Sequence, residues 1–416
     1  MNNRSTAKIE ALLKKGVKIT NPASVDIDDS VDVDRISGDG VVIYAGCKIM
    51  GPSTLILQGA ILGYEGPVTV ENCHIGPQVE LKGGYFKDAV FLKSVSMGLG
   101  SHIREGTILE EESRVAHTVA LKHTILFPFV TLGSLINFCD CFLSGGTSRK
   151  DHSEVGSSYI HFNYTPNQDK ATPSLMGDVP QGVMLNQHPI FLGGQGGLVG
   201  PCRLAFGTLI AAGSVYRKDE LTPDQLLFAG GERSGKVPFQ PGLYRNVKRI
   251  ARNNIIYIAN LMALMQWYQH VRSQFVSNDF TENLYNGLKN NLKAAIDERL
   301  NKFEELCNKM PGSVQIYQKM LNEGDFPMVL RQKKELYNKW SDLKEHFDRQ
   351  QFTQGDQTLR DTFLENIHLE IKRAGKDYLP VIQGLSPEIS SLGTQWLQGI
   401  VDHITSEAFE IIPLFR

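Results

Sequence analysis

Apolar side chains recur at every sixth residue from Ile19 to Phe127, and only Ser37 and Pro67 interrupt the series. The run passes through Val25, Val31, Ile43, Ile49, Leu55, Ile61, Cys73, Val79, Tyr85, Phe91, Met97, Ile103, Leu109, Val115 and Leu121. Four places further on, most hexads carry a small or apolar residue, such as Cys47, Ser53, Gly59, Gly83, Ala89 or Ser101. A helix repeats every 3.6 residues and a strand every two, so neither produces this period. A short strand plus a turn in each hexad does produce it. Three hexads then close one triangular coil, with the large apolar residue inward and the small one at the crowded corner. One coil buries nothing alone, so stacking must supply the core. Turn formers fall where the corners are needed: Gly46, Gly51-Pro52, Gly63, Gly66-Pro67, Gly76-Pro77 and Gly83-Gly84. The expectation is a parallel β-helix.

A second run at a new phase (Leu192, Leu198, Leu204, Ile210, Tyr216) extends the coil to about residue 240. Between the runs, residues 133–191 lose the strict period. Loops inserted into a continuing coil are expected there, and such breaks in a regular scaffold are where function usually sits. After Pro241 the spacing becomes helical. Val247, Ala251, Ile258, Leu261, Met265 and Tyr268 share one face, and Leu284, Leu288, Leu292, Ile296, Leu300, Phe303 and Cys307 share another. Asp279 is placed as a cap of the second helix and Pro311-Gly312 as its end. Further helices are expected over 313–322, 327–350, 356–374 and 387–408. The division is an N-terminal helix over 1–16, the β-helix over 17–240 and an α-helical domain over 241–416, read as a bundle for oligomerisation.

Composition narrows the partners. A net charge of −2 gives no field that favours nucleic acid or an anionic membrane. The basic set Arg245, Lys248, Arg249 and Arg252 reads as a solvated face or subunit contact. The start, MNNRSTAKIEALLKKG, has no apolar leader core, and the apolar stretch over 255–267 is too short to span a bilayer. Cys47, Cys73, Cys139, Cys141, Cys202 and Cys307 show no framework spacing and read as reduced thiols of a cytoplasmic protein. Strand alternation would put Cys139 and Cys141 on one face.

The segment EVGSSYIHFNYTPNQDKATPSLMGD, Glu154 to Asp178, carries the chemistry. Val155-Gly156-Ser157-Ser158, Asn163-Tyr164, Lys170 and Met176-Gly177-Asp178 occur in the order of a family's Ile-Gly-Ala, Asn-Tyr-Asp-Gly, Lys loop and Ile-Gly-Asp. LIAAGSVYRKD (Leu209 to Asp219) and Lys236-Val237-Pro238 match its later segments. Residues 95–240 thereby resemble the acetyltransferase half of the bifunctional enzymes that make UDP-N-acetylglucosamine. The resemblance implies a left-handed β-helix, acetyl-CoA as co-substrate and a homotrimer with sites between subunits. It implies that Asn163 and Tyr164 line the site, with Lys170 beside the acceptor. It also places Ala211, Ala212 and Ser214 along the coenzyme's pantetheine arm, and Arg233 or Lys236 on its phosphates. The loop SGGTSRKDHSEVG is shorter than the family's His-bearing loop, and no Lys falls near residues 137–140, where the family holds a sugar phosphate.

Acetyl transfer to an amine or hydroxyl needs a base near neutral pKa, which suits His. His161 and His152 are the candidates, with His188 third, and Arg149 and Lys150 are candidates for an acceptor phosphate. The expected function is acetyl-CoA-dependent acyl transfer to an amino sugar, sugar phosphate or nucleotide sugar. The alternative is a non-catalytic scaffold that binds a nucleotide sugar. A zinc hydratase built on His102, His117 and His123 ranks lower, because His117 and His123 fall on different faces of the triangle. No metal is expected.

Overall fold

The computed structural model describes residues 3–229, 236, 239–320 and 327–416. It shows a left-handed parallel β-solenoid followed by a helical region. Eleven strands stack on the first face, from Lys18–Ile19 to Leu226–Leu227, each parallel to the next. Strands from Asp26–Ile27 to Val215–Tyr216 form the second face. Strands from Leu55–Ile56 to Arg203–Leu204 form the third. One apolar column per face fills the interior, as with Ile49, Val70, Phe86, Ile103, Leu121 and Phe138 on the second face.

The sixfold register slips and recovers. Successive first-face partners lie 19 residues apart from Val42 to Ile61 and from Ile61 to Glu80, then 16 apart from Glu80 to Ser96. In those coils the inward side chains are Leu62, Val68 and Phe86. Ile61 and Tyr85 are only partly buried and Pro67 is exposed. The extra residue in each long coil moves every side chain of the strand that follows.

Helix α1 (Asn3–Lys15) closes the first coil. Ile9 and Leu12 seal the open end of the core, and the Ser5 hydroxyl accepts from the Ile27 amide at 3.2 Å. Three insertions interrupt the later coils, at residues 144–153, 163–173 and 177–190. The last contains the short helix α2 (Val179–Gly182), capped by Asp178. The helical region comprises α3 (Lys248–His270), α4 (Glu282–Gln318), α5 (Met328–Asn338), α6 (Trp340–Gln350), α7 (Gln357–Ala374), α8 (Tyr378–Gln383) and α9 (Pro387–Ile411). Helix α4 differs from the sequence reading at both ends. Thr281, not Asp279, caps it by accepting from the Leu284 amide at 3.3 Å. It also runs through Pro311, because Met310 and Val314 beside it bury into the common core. That burial outweighs the ~3 kcal/mol that an interior proline costs.

The helices lie against the third face. Its strands are apolar on both sides: Ile56, Phe91, Leu109 and Leu126 point inward, while Leu55, Val90, Ile108, Ile125 and Phe142 join the helical core. Each such side chain contributes about 1.5–3 kcal/mol on burial. Polar clamps reinforce the seam. Tyr268 donates to Glu110 at 2.5 Å, Asn254 donates to the Ala171 carbonyl at 2.9 Å, and Arg272 pairs with Glu111. The basic set at the start of α3 is partly consumed by the chain itself, since Arg249 donates to the Pro201 carbonyl and Arg252 to that of Phe415 at 2.7 Å.

Candidate functional site

The sequence-derived residues fall on three different edges of the prism. Asn163, Tyr164 and Lys170 belong to the insertion after strand Ile160–Phe162, on the edge between the second and third faces. Arg149 and His152 lie in the insertion after strand Asn137–Leu143, on the edge between the third and first faces, and His188 follows one coil later. Ala211, Ala212 and Ser214 follow strand Leu209–Ile210, on the edge between the first and second faces. One chain therefore does not bring its three groups together. Lys236 is exposed, and Arg233 lies outside the described residues.

The second–third edge is held from both sides. Asp140 sits on it with φ +61°, a left-handed conformation that Asp tolerates. This bend breaks the alternation expected of Cys139 and Cys141, which end on different faces, Cys139 half-buried and Cys141 buried. All six cysteines are free thiols. The Asn163 amide donates to Asp140 at 2.9 Å. Asp140 also pairs with Arg299 of α4 at 2.7 Å, both side chains 2% exposed. Arg299 donates in turn to the Lys170 carbonyl at 3.2 Å, and Lys309 of α4 to the Asn167 carbonyl at 2.8 Å. The loop that presents Tyr164 to solvent is thus fixed by the helical region.

His161 points the other way. Its strand places Ile160 and Phe162 outward and the imidazole inward, in the same column as Phe138 and Leu198. Nδ1 donates to the Cys139 carbonyl at 2.6 Å, and Nε2 meets the Ser174 hydroxyl at 2.8 Å. Burial lowers its pKa to about 4, against the neighbouring Asp140 charge. The ring is a hydrogen-bonded part of the core, with no open nitrogen and no route to solvent. It does not share a face with Asn163, because the strand ends at Phe162 and Asn163 has already turned the corner.

His152 is partly exposed, and its Nε2 lies 3.8 Å from Glu154. Its pKa is lowered, first by burial and then by the Arg149 charge. Its Nδ1 has no hydrogen-bond partner. Arg149 reaches past it to the Glu112 carbonyl at 3.1 Å, the Phe129 carbonyl and the Thr131 hydroxyl at 2.9 Å. Those bonds hold the insertion closed and occupy Nη1 and Nη2, while the buried Nε has no partner among the described residues. His188 is exposed and accompanies Asp224 at 2.7 Å, which raises its pKa.

The first–second edge is lined by a column of small residues: Gly98, Ala116, Gly133, Gly156, Gly193 and Ala211. Coil stacking imposes it. A Cβ on Gly193 would stand 2.3 Å from the Ala212 nitrogen, and one on Gly156 2.4 Å from that of Gly194. The result is a track of small residues, half-buried apart from the buried Gly193, that ends beside the exposed Ala212 and Gly213. Ala212 is exposed, whereas Ser214 is buried, its hydroxyl accepting from the Ala229 amide at 3.3 Å.

His102 stacks on Tyr85 of the second face, His117 contacts Ser134 on the first–second edge, and His123 lies near Glu298 on the second–third edge. Among the described residues no three such side chains converge on a metal position. No helix among them is long and apolar enough to cross a membrane.

Comparison with known proteins agrees with the coil. The chain is 31% identical over 213 residues to the bifunctional protein GlmU of Thermotoga maritima, covering 51% of this chain and 42% of that protein. It is 27% identical over 209 residues to the protein of that name from Pelobacter propionicus, covering 50% and 40%. The Trichlorobacter lovleyi protein is 27% identical over 219 residues, covering 52% and 42%. This is a hexapeptide-repeat chain that resembles the acetyltransferase half of GlmU. The alignment spans less than half the length of these relatives, and no family model matches the sequence. The aligned segments cover about half of this chain.

Proposed function

We propose that the protein is an acyltransferase that moves an acetyl group from acetyl-CoA to an amino sugar, sugar phosphate or nucleotide sugar. The observation that carries this reading is the distribution of the site residues over separate edges of one prism. The small-residue track offers a pantetheine arm close backbone approach. The Asn163–Tyr164 loop offers an acceptor a rigid, hydrogen-bonded wall. A neighbouring copy can set one edge against the other, so the active form is a homotrimer with sites between subunits. The helices cover the third face and leave the first and second faces for that contact. In this assembly Ala211 and Ala212 line the coenzyme arm, Arg233 and Lys236 hold its phosphates, and Asn163, Tyr164 and Lys170 contact the acceptor. His152 is the base. It takes the proton as the acceptor attacks the thioester carbonyl, and the coenzyme thiolate leaves. The reading places the protein in the cytoplasm, where acetyl-CoA is made and used.

The second reading is a scaffold that binds a nucleotide sugar without catalysis. The inward His161 favours it, since it removes one group from the catalytic set. Calorimetric titration with acetyl-CoA separates the two. Micromolar binding that Ala212→Trp weakens, with a trimer by sedimentation, supports transfer. No binding at millimolar acetyl-CoA refutes it, and binding of UDP-N-acetylglucosamine alone then supports the scaffold.

A further inference from the structure

A cavity of about 470 Å³ lies between the last coils of the third face, the 177–190 insertion and helices α3 and α9. Of the residues considered above for acyl transfer, its lining includes His188, the third candidate base, and none of those placed in the proposed intersubunit site. Its volume falls in the range of small-molecule sites, ~300–1,000 Å³.

The chemistry of its lining is asymmetric. At one end stands Arg203. Its Nε is buried and has no hydrogen-bond partner among the described residues. Asp219 is 3.9 Å away and is shared with Arg249, also at 3.9 Å. The Asp219 carboxylate is further occupied by the Arg203 amide at 3.0 Å and Asn253 at 2.9 Å. Two guanidinium groups on one hydrogen-bonded carboxylate leave a net positive charge, and a planar guanidinium with free donors suits a phosphate. At the other end, planar acceptors and donors converge. Asp178 is held by the Gln181 amide and side chain at 2.9 and 2.8 Å, and the His188–Asp224 pair, 2.7 Å apart, forms the rim. Phe206, Leu204 and Pro223 supply the apolar surface between them. Paired planar hydrogen-bonding groups over an apolar floor recognise a ring of hydroxyls, and Arg203 can take one anionic group.

We propose that this cavity binds a phosphorylated hexose, with Arg203 on the phosphate and the Asp178 and His188–Asp224 groups on the hydroxyls. The bound species is either a free sugar phosphate or the glycosyl-diphosphate end of a nucleotide sugar. The site is complete within one chain and does not rest on acyl transfer.

The test is calorimetry on the full chain with glucosamine 1-phosphate, UDP-N-acetylglucosamine, N-acetylglucosamine and inorganic phosphate. One of the two phosphorylated sugars is expected to bind once per chain, at least tenfold tighter than the uncharged sugar or phosphate alone. Which of the two binds identifies the source. Arg203→Gln is expected to weaken that binding at least tenfold, and Ala205→Trp, which fills the cavity, to abolish it. Acetyl-CoA affinity stays unchanged in both. Should Arg203→Gln fail to fold, His188→Ala and Gln187→Ala at the rim are each expected to cost several-fold. Absence of binding by both phosphorylated sugars at millimolar concentration overturns the proposal. So does binding that Ala205→Trp leaves intact, which would place the sugar at the acyl-transfer site instead. Loss of the acyl-transfer reading through failed acetyl-CoA binding leaves these outcomes readable.

Discussion

The inward histidine makes a quantitative claim. His161 has an ordinary pKa of 6.5 in the unfolded chain and about 4 in the fold. Between those values the unfolded chain holds a proton that the folded one does not, so folding stability falls as pH falls through that window. The slope is one proton, about 1.4 kcal/mol per pH unit, and the full contribution reached near pH 4 is about 3 kcal/mol. At pH 7.5 the imidazole is neutral and satisfies the Cys139 carbonyl and the Ser174 hydroxyl. His161→Leu strands both, and it is expected to cost about 1–3 kcal/mol there. The leucine carries no proton linkage, so its deficit shrinks on acidification and is expected to vanish or reverse by pH 4.5. The assay is urea unfolding of both proteins at half-unit steps from pH 7.5 to 4.5, read as the difference between them. A difference that stays constant across the window refutes the buried, neutral assignment. It would mean that the ring reaches water and titrates normally, which would reopen its role as a base.

Other consequences follow from the same geometry. Arg299→Met leaves Asp140 charged and buried, and is expected to cost about 3–5 kcal/mol. Adding Asp140→Asn should recover most of it, so a double-mutant cycle that shows coupling below about 0.5 kcal/mol contradicts the buried pair. A Cβ on Gly312 or Gly399 meets nothing within 4 Å, and both sit inside long helices, so Gly312→Ala and Gly399→Ala should each stabilise by about 0.5–1 kcal/mol in chemical denaturation. Ala212→Trp adds bulk to an exposed point of the small-residue track and should abolish acetyl-CoA binding with stability changed by less than about 0.5 kcal/mol. Retained binding in that variant would remove the track from the coenzyme's path. Acid unfolding should be steep near pH 4–6.5, because burial also lowers His74 and His123 to about 4. Replacing either with Gln should reduce the proton uptake measured on unfolding by about one.

The six-residue period determined the coil outright, because only a triangular solenoid returns a side chain to the interior at that spacing. The helical period after Pro241 likewise located the faces of α3 and α4. The attachment of the helices to the third face had a signal that the single-column reading passed over. Leu55-Ile56, Val90-Phe91, Ile108-Leu109 and Ile125-Leu126 are paired apolar residues, the mark of strands buried on both sides. Local rules failed where tertiary contact overrode them. Uneven coil lengths displaced Ile61 and Tyr85 from the core. Burial of Met310 and Val314 carried a helix through Pro311. The left-handed bend at Asp140 separated Cys139 from Cys141. The site divides in the same way. Sequence nominated the Asn163–Tyr164 loop and the small residues before Ser214 as candidates, because close backbone approach and the motif order are written locally. Only the folded chain could turn His161 inward, tie Asn163 to Asp140 and Arg299, and place the loops on separate edges. Those outcomes depend on where each corner falls and on which residues, up to 159 positions away in the case of Asp140 and Arg299, arrive to meet it.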